Sequence, residues 1–288
     1  MVITEITRKY LLRYNNTDLS FAEDVYVVNW LGGGISDIVS TVAFGSGDGS
    51  HIEKYHSSDR QIIINIRVFN ERQKQAIYKL FQPRKTGVLS YIPEGDESRT
   101  KQIDCVVTSA EPNESKFPTI IPVILLCPYP FWRSATESKA IICGEVNGWS
   151  FPWGYQKERD FSFGEIKSGS SVIFGVNGTA ATGFTAAITT YQPVTYLKLT
   201  NHYNGEWIAI EGDYAADTEI VIDTNKGNCK VLSRRVGVTE YTDISDDVVW
   251  GSTYFVLVPG QNRITLEATN GTSGLEASVN FSVKYGGV

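Results

Sequence analysis

The chain has 288 residues, long enough for two domains of ordinary size, and its 42% hydrophobic and 12% aromatic content supplies a packed core and excludes a disordered chain. A formal net charge of -6 and a pI near 5.2 argue against nucleic acid or an anionic membrane as the main partner, because both demand a basic surface. No stretch approaches a membrane-spanning run, and the start MVITEITRKYLLRYNN lacks the apolar segment of a secretory leader, so a protein made and kept in a cytoplasm is expected. The four cysteines, Cys105, Cys127, Cys143 and Cys229, lie far apart with no C-x-x-C pair, and they read as reduced, mostly buried thiols.

Short segments rich in Val, Ile, Thr, Phe and Tyr alternate with Gly, Asn and Ser almost throughout, the pattern of a mainly β protein. From Gln61 to Phe69, Ile62, Ile64, Ile66 and Val68 share one face while Gln61, Asn65 and Arg67 share the other, which predicts a half-buried strand. A helix follows. Asn70 caps it, Gln73 occupies the return position of a capping box, Ala76, Ile77, Leu80 and Phe81 form its apolar stripe, and Pro83 ends it. Strands are expected from Gly87 to Ile92 and around Lys101 to Thr108, joined at the turn Pro93-Glu94-Gly95-Asp96. Phe117 to Cys127 is almost continuously apolar, so a strand covered on both faces is expected, with a bulge or sheet edge at Pro122.

The run Cys127-Pro128-Tyr129-Pro130-Phe131-Trp132-Arg133 cannot be helical, since each Pro forces its predecessor into extended backbone. It marks a domain boundary, giving residues 1–134 and 135–288. Beyond it no helix is evident. Strands are expected at Thr195–Thr200, Glu206–Glu211, Glu219–Asp223, Cys229–Ser233, Tyr254–Val258, Arg263–Ala268 and Ala277–Lys284, a spacing that suggests a β-sandwich.

Catalytic chemistry is hard to assemble from these residues. Gly32-Gly33-Gly34 and Gly45-Ser46-Gly47-Asp48-Gly49 lack the Lys-Ser/Thr ending and the following helix of a phosphate loop. His51 and His56 do not converge on one metal in an extended segment, and no G-x-S-x-G or H-E-x-x-H occurs. The acidic groups Glu94, Asp96, Glu97 and Asp243, Asp246, Asp247 invite a glycosidase or calcium reading, but neither has the spacing of an EF-hand loop and both read as solvated loops. No enzyme activity, metal or cofactor is therefore assigned. Two aromatic groups stand out: Trp149, Phe151, Trp153 and Tyr155 alternate, and His202, Tyr203, Asn204, Glu206 and Trp207 combine rings with hydrogen-bonding groups. His202, Asn204 and Trp207 are the candidate contact residues for a carbohydrate or a protein partner, against the plainer reading of packed strand faces.

Several motifs in order resemble the distal tail protein (Dit-like) family of phages with long non-contractile tails. They are Gly47-Asp48-Gly49 with Tyr55, Asp59-Arg60 and the strand Ile62 to Val68; the helix Asn70 to Phe81 with Pro83 and Val88 to Ile92; and Leu126-Cys127-Pro128-Tyr129-Pro130-Phe131-Trp132-Arg133-Ser134. Ile222 to Lys226 with Cys229 to Leu232, Phe255 to Leu266 around Pro259-Gly260-Gln261-Asn262, and Val279 to Tyr285 continue the match. The resemblance implies an N-terminal β domain with one helix that forms a hexameric ring, alone or stacked on a second ring, and a galectin-like C-terminal β-sandwich projecting outward. It further implies a structural part of the virion tail tip, or baseplate, of a siphophage or prophage, assembled in the host cytoplasm. The implied partners are its own copies, the major tail-tube protein, a tail-tip or tail-associated lysin protein and a receptor-binding protein that mediates host attachment. Residues Cys143 to Phe174 carry little of this pattern. The alternative from the residues alone is a carbohydrate-binding module that contacts the host cell surface.

Overall fold

A computed structural model describes residues 10–19, 26–35, 38–44, 48–112, 118–147, 164–167, 170–269 and 274–288. The chain divides into two compact units, Met1–Thr136 with Lys284–Val288, and Glu137–Val283. The second unit is thus inserted in the first, and residues 284–288, which fall within the expected span 135–288, group with the first unit instead.

Unit 1 contains β1 (Tyr10–Tyr14), β2 (Thr17–Asp18), β3 (Tyr26–Leu31), β4 (Ile38–Ala43), β5 (Ser50–His56), β6 (Arg60–Val68), α1 (Glu71–Leu80), β7 (Thr86–Pro93), β8 (Lys101–Ala110), β9 (Thr119–Cys127) and β10 (Trp132–Ser134). Its main sheet is antiparallel in the order β2-β1-β7-β8-β9-β6-β3, while among the described residues β4 and β5 pair only with each other. In β6 every second residue from Arg60 to Val68 is buried, so the isoleucines at 62, 64 and 66 face the core as their spacing predicts. Asn70 accepts a hydrogen bond from Gln73 N at 2.8 Å, and Gln73 Oε1 accepts from the amide of Phe69 at 2.7 Å, one residue before the position a capping box uses. Ile77 and Phe81 carry the helix into the core, where the Phe81 ring lies 4.6 Å from that of Tyr14.

Strand β9 lies between β8 and β6, with Ile121, Val123, Leu125 and Cys127 fully buried and the residues between them half-buried. Its ladder with β8 ends at Ala110↔Val123, beside a bulge between Val107 and Ser109. Thr108 Oγ1 donates to Ile124 O, so the backbone of Ile124 faces β8. By alternation the backbone of Pro122 faces the same way, beyond the ladder, where a missing donor costs no inter-strand bond. The two prolines after Cys127 have an equally local purpose. They break β9, and the chain re-pairs as β10 with Lys101 and Gln102 at the start of β8.

Unit 2 contains β11 (Ser138–Asn147), β12 (Gly164–Lys167), β13 (Ser171–Val176), β14 (Thr185–Thr190), β15 (Val194–Asn201), β16 (Trp207–Tyr214), β17 (Thr218–Asp223), β18 (Lys230–Arg235), β19 (Thr242–Asp243), β20 (Gly260–Ala268) and β21 (Leu275–Phe281). One antiparallel sheet runs β12-β11-β21-β14-β17-β18-β19 and another β13-β20-β15-β16. Their inner faces meet, with the Phe174 ring of one stacked 5.2 Å from the Phe281 ring of the other. Tyr254–Val258, expected as a strand, is not one. Phe255 and Leu257 are buried alternately, as strand residues would be, but the backbone forms a single bridge, Leu257↔Thr182. The expected strand Ala277–Lys284 likewise divides: β21 stops at Phe281, and β22 (Lys284–Tyr285) pairs with β10 in unit 1.

Candidate functional site

In unit 2 the turn between β15 and β16 gathers the polar-aromatic residues. Asn201, fully buried, anchors it: its side-chain oxygen accepts from Tyr203 N at 3.0 Å, its amide donates to Glu206 O, and its carbonyl accepts from Gly205 N. The turn therefore presents His202, Tyr203 and Asn204 to solvent. His202 Nε2 lies 2.8 Å from Thr265 Oγ1 on β20, and Asn204 hydrogen-bonds Glu206 through both its amide nitrogen and its oxygen. Trp207 is half-buried, with the Lys198 ammonium 5.1 Å from its ring centre. His202, Asn204 and Trp207 thus share one turn and the strand start that follows it. His202 Nε2 and both side-chain polar atoms of Asn204 are engaged with neighbours, and the Lys198 ammonium lies over the Trp207 ring.

The residue that sequence reasoning missed is Trp250, which is 96% exposed. Residues 248–253 run along the free edge of β16: Val249 N donates to Ala209 O, Thr253 N to Trp207 O, and Ser252 Oγ exchanges bonds with Ala209. Between them Ser252 N donates to Val249 O at 3.1 Å around Gly251, whose φ of +87° suits position three of a type II turn. Trp250 precedes that glycine, and the turn holds it outward, with Gly251 packed toward the Trp207 ring. Trp-Gly is the signal that was available, but it gains meaning only when the edge of β16 is known to lie beneath it.

The acidic groups are spent on local structure. Asp96 accepts from the amide and hydroxyl of Ser98, and Asp243 does the same for Ser245, which holds both carboxyls below the usual carboxylate range. Glu97 pairs with Arg13 and Glu94 with Arg99, while Asp247 accepts from the Tyr214 hydroxyl at 2.9 Å. Burial, and then that carboxylate, push the Tyr214 phenol up. Among the described residues, no group of three His, Cys, Asp or Glu is placed to hold a metal. His51 packs its ring 5.8 Å from that of Phe44 in the β4–β5 hairpin, the side chain of His56 is outside the described residues, and so are Trp149, Phe151, Trp153 and Tyr155. In unit 1 a cavity of about 430 Å³ is lined by Gly32, Gly34, Ser58, Asp59, Arg60 and Pro130 among others, and the Arg60 guanidinium there donates to main-chain carbonyls.

Residues 177–285 match the family model of the siphovirus-type tail component, C-terminal domain. That span, most of the second unit, is similar to the family's domain. The tail-component domain takes in β14 to β21 and so holds the turn at 201–206 and the exposed Trp250. No curated protein matches the chain by sequence. Among solved structures the chain is similar to the SPP1 Dit protein, described as a paradigm of the hub adsorption apparatus in phages that infect Gram-positive bacteria. That likeness has a TM-score of 0.68 at 12% identity and covers 96% of this chain and 99% of that one. The chain is also similar to the phage p2 baseplate in its activated conformation with calcium, at a TM-score of 0.51, 13% identity, and 94% and 97% coverage. The fold is therefore shared across both units, and the tail-component domain is embedded in it.

Proposed function

We propose that the chain is a non-catalytic structural subunit of a phage tail tip or baseplate, in which unit 1 closes into a ring of six and the tail-component domain projects outward as a galectin-like sandwich. The observation that carries the reading is the likeness to SPP1 Dit over almost the whole of both chains, together with the match at 177–285. The open side of unit 1 supports self-assembly. Among the described residues β3 pairs only with β6, and Val28, Leu31, Ile35, Val42, Phe44 and Ile52 on β3, the β4–β5 hairpin and the residues beside them are exposed. An unpaired edge and scattered apolar groups are satisfied when identical neighbours close a ring. The ring would seat on the major tail-tube protein, hold a tail-tip or tail-associated lysin protein on its other side and anchor receptor-binding proteins. Light scattering and negative-stain microscopy of concentrated purified protein test this. Six-fold rings are expected, whereas a strict monomer that binds neither tail-tube nor tail-tip proteins overturns it.

A second reading, contact with a host-surface carbohydrate, is favoured by two outward rings, Tyr203 between His202 and Asn204 and Trp250 on the turn against Trp207. Stacking on an exposed aromatic face with flanking polar groups is how sugars are held. Titration calorimetry against cell-wall polysaccharide decides it: heat that disappears in Trp250→Ala supports the reading, and no heat with any glycan retires it.

A further inference from the structure

We propose that residues 284–288 are a strap, closed by Arg60, that completes the edge of unit 1 only after unit 2 has been synthesised, so that readiness for assembly is tied to synthesis of unit 2. The proposal rests on the ring reading for its consequence, while the strap itself is read within unit 1.

The strap is held at four successive points. Tyr285 and Lys284 pair with Trp132 and Arg133 on β10, the short strand created by the proline break. Lys284 Nζ also donates to the Tyr129 hydroxyl at 3.1 Å. Gly286 O accepts from Arg60 Nη2, and Val288 N donates to Gly33 O at 2.9 Å. Between these contacts Gly287 passes so near the chain at Gly33 to Ile35 that an added Cβ would lie 3.1 to 3.2 Å from their backbone atoms. The fit is backbone against backbone, and a side chain at 287 would hold the two segments apart.

Arg60 joins the strap to the assembly edge. It is only 8% exposed, and its Nη1 donates to Gly32 O at 3.1 Å and Gly34 O at 2.7 Å while Nη2 reaches Gly286 O. A guanidinium keeps its charge and presents rigid, divergent donors, so it can span three carbonyls from two segments, which a lysine ammonium cannot do in one plane. Gly32 to Gly34 is the direct continuation of edge strand β3. The position at which the chain leaves β3 toward the β4–β5 hairpin is therefore set by an arginine from β6 and a strap that follows unit 2 in the chain. Until the strap arrives, the buried charge lacks the Gly286 carbonyl and Gly33 O lacks the Val288 amide. The exit from β3 is then free to move.

The test compares the full chain, a chain ending at Val283, and Arg60→Gln in the full chain, by hydrogen exchange and by self-association. Removal of the strap, or of its clasp, is expected to speed exchange of the amides from residue 30 to 35 by about tenfold or more, leave β14 to β17 in unit 2 unchanged, and abolish self-association. Protection at 30–35 equal to that of the full chain in both variants overturns the proposal. Equal loss of protection in both units also overturns it, since the strap would then be one more part of a global fold. If the full chain itself does not self-associate, the ring reading fails, and the exchange at 30–35 still decides the strap.

Discussion

Asn70 has a task set by its chemistry and its place in the chain: a short side chain with an oxygen, where a helix begins. Its bond to Gln73 N satisfies a helix-start amide, so Asn70→Ala is expected to cost about 1 kcal/mol in urea unfolding of unit 1, and a cost near zero would mean that water caps the helix equally well. The thiols divide by exposure. Cys105, Cys127 and Cys143 are buried, and Cys105, beside Cys127 in the sheet interior, has its pKa pushed up by that neighbouring thiol and then by burial. Only the thiolate reacts, so a thiol reagent is expected to modify Cys229 rapidly in the native protein and the other three only after denaturation. The pH dependence follows from Asp96 and Asp243, whose folded pKa values are depressed by their serine partners. A depressed carboxyl contributes stability that is present above its unfolded value, about 3.9, and lost as pH falls through the folded one. Denaturant midpoints are expected to fall between roughly pH 5 and roughly pH 3, and to fall less in Asp96→Asn with Asp243→Asn.

At the scale of elements, the close approaches matter as much as the periodicities. Gly87 on β7 lies under the Tyr14 ring, and an added Cβ would sit 2.2 to 2.6 Å from its hydroxyl and ring atoms. Tyr14 is fully buried against Phe81, so Gly87→Ala has nowhere to displace it and is expected to lower stability by about 1–3 kcal/mol, measured as a lower melting temperature with loss of near-ultraviolet circular dichroism. The elements visible in the sequence were those whose pattern is local: β6 by its alternation, α1 by cap, stripe and proline, β9 by its apolar run. The strands that were not visible have weaker or borrowed signals. In β14 the buried positions are Ala186, Ile188 and Thr190, too small and polar to advertise a face, and β11 and β13 lie in a stretch without clear alternation. Tyr254–Val258 showed the reverse, alternating burial without a ladder, because the burial comes from one inserted segment rather than from sheet pairing. For the candidate site, the clustering of His202, Asn204 and Trp207 was legible because one turn holds them. Trp250 was not, because its place near Trp207 depends on bonds between residues distant in the chain, Val249 N to Ala209 O and Thr253 N to Trp207 O.

The whole molecule is a chain that leaves its first unit through the break at Pro128 and Pro130, builds a second, and returns to add β22 to β10. Those helix-breaking prolines were legible in the sequence. The return was not, because Lys284–Tyr285 reads as the end of the preceding strand until its partner is known to be Trp132–Arg133. This plan fits the structural role proposed: among the described residues the main sheet of unit 1 ends at the edge strands β2 and β3, while unit 2 carries an outward tryptophan on a turn fixed to a sheet edge. A chain built into the distal end of a tail must be found there in finished particles. Immunogold electron microscopy of particles from the producing strain, with antibody raised against the purified chain, shows where it sits. Gold confined to the tip of long, non-contractile tails is the predicted result. Particles in which the chain is detected on the capsid, or from which it is absent by mass spectrometry, would contradict it.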